Sequence, residues 1–301
     1  MFAPLLLTAH LLAPMVATAP SSCPPAGMTR PDLIKLKETK FEVPEDDKRN
    51  ALAVRLVGCL DDPDPGVRDG VVFEGLSKWL RGKALTPATI LTLDESLRNM
   101  LGGEKDAEGF RLPFAALVLS EVARADRIEP VFTDASRKAL VDLSASSLTR
   151  VIDYRGFDPR EGWRHGVAHG ADLVLQLSVN PKVGSDGVSR LMDAIRSQVA
   201  PAGPVFYTFG EPERFARAVV FACRRGVLDA AFWDSWFASI ASPKPLASWG
   251  SAFQSVDGLA KRHNTLAFLH ALAFAGRAAG DEAGKALAER ADKAAAEIMR
   301  G

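Results

Sequence analysis

Between Asp153 and Asp172 the chain reads Asp-Tyr-Arg-Gly-Phe-Asp-Pro-Arg-Glu-Gly-Trp-Arg-His-Gly-Val-Ala-His-Gly-Ala-Asp, a concentration of side chains able to hold charge, move protons or ligate metals. His165, His169, Asp172 and Gln176 follow one another at spacings of four, three and four. On a helix advancing about 100° per residue they share one stripe, while Trp163, Val167, Ala171, Val174 and Leu177 share the opposite one. Two imidazoles one turn apart, followed by a carboxylate, could give a divalent transition metal such as zinc three ligands. The glutamate that separates the histidines of a metalloprotease helix is absent, so peptide hydrolysis is not indicated. His263 and His270 lie seven residues apart on a later segment and could add a ligand if it folds back. The alternative is structural: the imidazoles hydrogen-bond across a groove, to Asp172 or to Asp153, and lock neighbouring helices together.

The preceding turn is equally two-sided. Asp153 and Arg155 can form a structural ion pair, or can present a guanidinium to an anionic ligand. Gly156 and Gly162 permit a tight backbone there, and Trp163 can pack in the core or floor a binding site. The candidate ligand-binding set is therefore Asp153, Arg155, Trp163, His165, His169 and Asp172, with His165, His169 and Asp172 as the candidate metal ligands.

Helices must position these groups. Apolar residues recur every three or four positions and no sustained alternating run occurs, so strands are not expected. Asp64-Pro65, Thr86-Pro87, Asp158-Pro159 and Glu211-Pro212 read as caps followed by proline at the first helical position. The pattern predicts helices near 31–40, 46–60, 65–81, 87–101, 112–126, 133–151, 160–178, 186–199, 212–225, 229–241, 245–277 with a break, and 281–299. Connections are short and rich in Gly, Pro and Asp, which favours antiparallel neighbours within one domain over 20–301. The run from Ala53 to Val72 resembles one HEAT repeat: an apolar helix, an Asp/Pro turn, then Val67-Arg68 opening a second helix. An all-α fold follows, a HEAT/armadillo-like superhelix of paired antiparallel helices, with an irregular bundle as the alternative. The Phe206-Tyr207-Phe209 loop reads as an interhelical plug or an exposed contact patch.

Lysine plus arginine and aspartate plus glutamate each number 37, so no net field draws nucleic acid. Residues 1–19 are apolar, too short to span a bilayer, and end in Ala17-Thr18-Ala19, an A-x-A cleavage pattern. Though no basic residue opens that stretch and Pro20 follows the cut, it reads as a secretory signal and predicts a periplasmic or secreted protein. No later segment is apolar for long enough to cross a membrane. Of three cysteines, Cys23 and Cys59 could pair in an oxidising compartment, or all three could be unpaired thiols.

The motif Asp153-x-Arg155-Gly156, then Gly162-Trp163-x-His165, then Ala168-His169-x-Ala171-Asp172 resembles the signature of a bacterial family known only as domain of unknown function 2785. Arg68-Asp69 also resembles that family. The resemblance implies an armadillo-type fold without an established activity and marks the motif residues as its defining positions. Two functions remain in view: an exported binding or scaffold protein that takes a protein or small molecule at the polar cluster, and a metal-dependent, hydrolase-like enzyme using His165, His169 and Asp172.

Overall fold

The computed structural model describes residues 23–103 and 106–301; the expected signal segment lies outside them. Helices account for 69% of the chain, and the sheet among the described residues has two short strands, so the fold class is all-α. The helices are α1 (Arg30–Glu38), α2 (Asp46–Leu56), α3 (Pro65–Val67), α4 (Glu74–Arg81), α5 (Pro87–Leu101), α6 (Arg111–Ile128) and α7 (Asp134–Thr149). After the strands β1 (Phe157–Asp158) and β2 (Gly162–Trp163) come α8 (Gly166–Ser178), α9 (Ser185–Gln198), α10 (Glu211–Arg224), α11 (Ala230–Ala241), α12 (Val256–Ala279) and α13 (Glu282–Arg300). A π-helical turn, Arg68–Phe73, joins α3 to α4.

Local chemistry sets most boundaries. Asp64 accepts the Gly66 N–H ahead of Pro65, and Thr86 accepts the Thr89 N–H ahead of Pro87, each satisfying a donor that the first helical turn leaves free. The break expected in 245–277 falls at Ser255, an extended residue whose side chain caps α12. The Asp158-Pro159 signal has a different outcome. Asp158 accepts the N–H groups of Arg160 and Glu161, but Pro159 opens a hairpin turn, with Phe157 opposite Trp163 and Asp158 opposite Gly162. Asp-Pro chemistry suits a turn as well as a cap; Gly162, at φ +75°, turns the chain back where a helix would continue. The helix predicted over 160–178 therefore begins at Gly166, and the expectation of no strands is corrected by this hairpin.

The helices pack in two rows. In one, α4, α6, α8, α10 and α12 lie side by side in that order; in the other, α5, α7, α9, α11 and α13 do so. Between them α5 packs on α6, α7 on α8 and α12 on α13, and a continuous apolar core extends from Leu33 to Ile298. Asp126, which enters it, is fully paired: it accepts from Arg137 at 2.9 and 3.0 Å, from Asn180, and from the N–H groups of Val131 and Phe132. Tyr207 is the plug of its loop, donating its hydroxyl to Gln198 O and its N–H to Asn264 Oδ1, whereas Phe206 and Phe209 are exposed.

Cys23 and Cys59 are joined in a disulfide and Cys223 is free. With a sequence separation of 36 between the paired cysteines, the bond removes loop-closure entropy from the unfolded chain. Cys59→Ser is expected to lose about 2–4 kcal/mol in urea unfolding, an effect reproduced in the wild type by reductant. Equal midpoints with and without reductant would contradict it.

Candidate functional site

The hairpin and the start of α8 build the site. His165 precedes α8 at φ +56°, a left-handed conformation that costs a non-glycine residue about 1–2 kcal/mol. Main-chain bonds hold it there: the His165 N–H donates to Arg155 O and the Arg164 N–H to Gly156 O. Gly156 is required for a further reason, since a Cβ would stand 2.1 Å from the Phe209 ring. Trp163 thus lies on β2 rather than on the helix, where it stacks on His165 at 4.7 Å and 22°. Phe157 flanks the indole at 5.1 Å and Phe209 meets it edge-on at 6.2 Å. Below, the His169 ring lies 5.7 Å from that of His165 and 5.2 Å from Phe114.

Both imidazoles are more than nine-tenths buried. Each makes one main-chain hydrogen bond, His165 at Phe209 and His169 at Pro113. Desolvation, with Arg214 adding repulsion, lowers the His165 pKa to about 4; desolvation, then His165 and Arg214, lowers His169 to about 3. Both are therefore neutral at physiological pH. His165 Nε2 and His169 Nδ1 are buried without a hydrogen-bond partner. A neutral imidazole whose other nitrogen donates to a carbonyl offers a lone pair at the remaining one, so the site presents two buried acceptors.

Asp172 faces the same groove, but its carboxylate is engaged by Arg214 at 2.5 Å, and burial raises its pKa against the opposing pull of that guanidinium. The predicted three-ligand centre on His165, His169 and Asp172 is not assembled: among the described residues no group of three or more His, Cys, Asp or Glu is placed to hold a metal ion. His263 and His270 do not join it either; they line a separate shallow depression beside Phe206. Gln176 accepts from Arg127 across the groove at 3.3 Å. The predicted stripe thus survives from His169 onward, with His165 at its head outside the helix.

Asp153 and Arg155 form the ion pair, at 2.5 Å, and Arg155 also donates to Glu108 O. Burial pushes the Asp153 carboxyl up, but the hydrogen bonds and charge of Arg155, with Arg164 behind it, together hold its pKa below its ordinary value. Asp153 lies on the rim of a cleft of about 490 Å³, walled by Leu112, Pro113, Leu148 and Val151 and by Gly166 and Gly170 of α8. Leu148 packs where a Gly170 Cβ would lie 2.9 Å from it.

Sequence reasoning left Arg68, Phe110, Arg164 and Arg214 out of the site. Arg68 is fully buried; it donates to Asp62 O at 2.9 Å and to Glu161 O at 2.7 Å, and its guanidinium lies 4.0 Å from the Phe110 centroid and 4.9 Å from that of Phe114. Arg164, 4.2 Å from the same Phe110 centroid, donates to Glu108 O. Together they anchor the hairpin to α3 and α6. The available signal was position: Arg68 and Arg214 stand near helix N-termini, where the helix dipole disfavours a cation unless something compensates.

The model of a family described as protein of unknown function, DUF2785, matches residues 97–274. The chain belongs to that family. The match to DUF2785 covers the end of α5, α6 to α11 and most of α12, including the hairpin, His165 and His169, while the disulfide lies outside it. No curated protein and no solved structure matches the chain.

Proposed function

We propose that this chain is an exported binding or scaffold protein whose two rows of helices form a HEAT/armadillo-like superhelix in one domain over 20–301, with the groove over α8 as its ligand site. The observation that carries this reading is the pair of buried acceptor nitrogens, His165 Nε2 and His169 Nδ1. A buried polar atom without a partner loses about 1–3 kcal/mol of solvation, and His165 is in addition held in a strained backbone conformation, a combination that concentrates at ligand sites. The ligand accordingly presents N–H or O–H donors to neutral imidazoles beside an aromatic wall of Trp163, Phe157 and Phe209. It is a small molecule or an exposed protein segment; the even balance of charge gives no long-range attraction for nucleic acid.

Export to the periplasm or beyond is supported by the Ala17-Thr18-Ala19 pattern and by the Cys23–Cys59 disulfide just after it, since such bonds persist in oxidising compartments. No helix among the described residues is long and apolar enough to cross a membrane.

Thermal denaturation against a panel of polyols, sugars, amines and hydroxy acids tests the site. A ligand at about 100 times its Kd contributes about 2.7 kcal/mol, so at least one compound should raise Tm by about 5 °C or more. That shift should vanish in His165→Phe and in His169→Leu. If every stabilising compound acts equally on wild type and both variants, the groove is not the ligand site.

A further inference from the structure

The face of α8 that carries Asp172 and Gln176 adjoins α6 and α10, and the charge on this surface is unbalanced. Two carboxylates beside it are already engaged, Glu121 of α6 by Arg81 at 2.8 Å and Asp172 of α8 by Arg214 of α10, while Glu213 stands one turn before Arg217 on α10. Three more guanidiniums share the surface. Arg124 follows Glu121 by one turn on α6, and Arg127 reaches over to Gln176, one turn beyond Asp172. Arg217 lies one turn beyond Arg214 on α10, close enough for its charge to act on Asp172. None of Arg124, Arg127 and Arg217 makes an ion pair with a carboxylate among the described residues, and Arg127 Nε is buried without any hydrogen-bond partner. Elsewhere the chain pairs its charges extensively. Nearby Asp126 is turned into the core onto Arg137, and Glu129 is held by Lys83, so neither supplies the missing charge.

Unpaired guanidiniums set side by side, one of them partly desolvated, repel one another, and Arg127 is driven below its ordinary pKa by burial and then by Arg124. Planar guanidiniums with several forked donors match carboxylate and phosphate oxygens in bidentate geometry. We infer that the α6–α8–α10 surface binds a small organic anion carrying two or more carboxylate or phosphate groups, held by Arg124, Arg127 and Arg217 beside Asp172 and the imidazole pair. This deepens the ligand-site reading and rests on it: the arginines supply the charge recognition beside the imidazole pair.

The probes are citrate, for carboxylates, and inorganic phosphate, titrated calorimetrically into the purified chain at low ionic strength, where screening is weakest. Saturable binding of at least one is expected, and Arg124→Ala/Arg217→Ala should weaken it about tenfold or more, as two charge-assisted contacts are removed. Because neither arginine makes an ion pair in the fold, the ligand-free double variant should melt within about 3 °C of wild type. Citrate binding alone assigns a carboxylate ligand and phosphate binding alone a phosphorylated one. No saturable heat at about 10 mM of either, where even a millimolar site would be mostly filled, overturns the inference, as does equal affinity in wild type and double variant. Donor-bearing compounds that depend on His165 and His169 while both anions fail would sink the anion class and leave the ligand site standing.

Discussion

Arg68→Met is expected to lower the unfolding free energy by about 3–5 kcal/mol, the magnitude seen when one member of a buried charged network is removed. Arg68 is fully buried, and its side chain is the main link between the N-terminal helices and the hairpin: Asp62 O and Glu161 O both accept from it. Its Nε stands 2.8 Å from Asp69 Oδ1 without a well-aligned hydrogen bond, so the contact is chiefly ionic. Methionine fills much of the volume but leaves the buried Asp62 carbonyl and the Glu161 carbonyl without this donor, Asp69 without its counter-charge and the Phe110 face without its cation. Arg68→Lys should recover only part of the loss, because an ammonium cannot reach carbonyls on both sides while lying flat on a ring. Urea unfolding of the three proteins measures this. Arg155→Ala is the contrasting control: its pair with Asp153 is half-exposed on the arginine side, and such pairs contribute about 1 kcal/mol or less. A loss below about 1 kcal/mol for Arg68→Met would show that the hairpin is held by other contacts.

The second large effect is loss of stability in mild acid. The folded-state pKa values of His165 and His169 are depressed to about 4 and about 3, against about 6.5 in an unfolded chain. Between these limits the unfolded state binds more protons, so stability falls as pH falls, beginning near 6.5 and continuing until the folded imidazoles themselves titrate. At pH 5 the two histidines together account for a loss of about 4 kcal/mol relative to pH 7.5. Asp126 and Asp153, both lowered in the fold, lose their contributions only below the ordinary carboxylate range, whereas burial raises Asp69, Asp94, Asp172 and Glu211, which act in the opposite direction, so the imidazole contribution is read as the difference between wild type and a double histidine variant. Unfolding free energies measured between about pH 5 and 6.5 should fall more steeply with falling pH in the wild type than in His165→Gln/His169→Gln, whatever the variant's absolute stability. Parallel profiles in the two proteins across that range would mean that these rings are solvated.

The same two histidines show how far spacing can be read. The interval from His169 to Asp172 and Gln176 is helical and places all three toward one groove, as the sequence pattern requires. Extending that periodicity back to Trp163 fails, because Asp158-Pro159 satisfies turn and cap chemistry alike and the choice depends on what pairs with the returning chain. Spacing also could not tell a metal ligand from an ion-pair partner at Asp172, since Arg214 is 42 residues away in sequence.

By itself the sequence determined the helical class, most helix boundaries and the polar side of α8, because periodicity, caps and proline positions act within a few residues along the chain. Tertiary structure alone decided the rest: the hairpin pinned by Arg68 from across 93 residues, the burial that leaves two imidazoles neutral and half-satisfied, and the arginines gathered from α6 and α10 on one surface. Those features depend on desolvation and on charges brought together from distant segments, which no local pattern encodes.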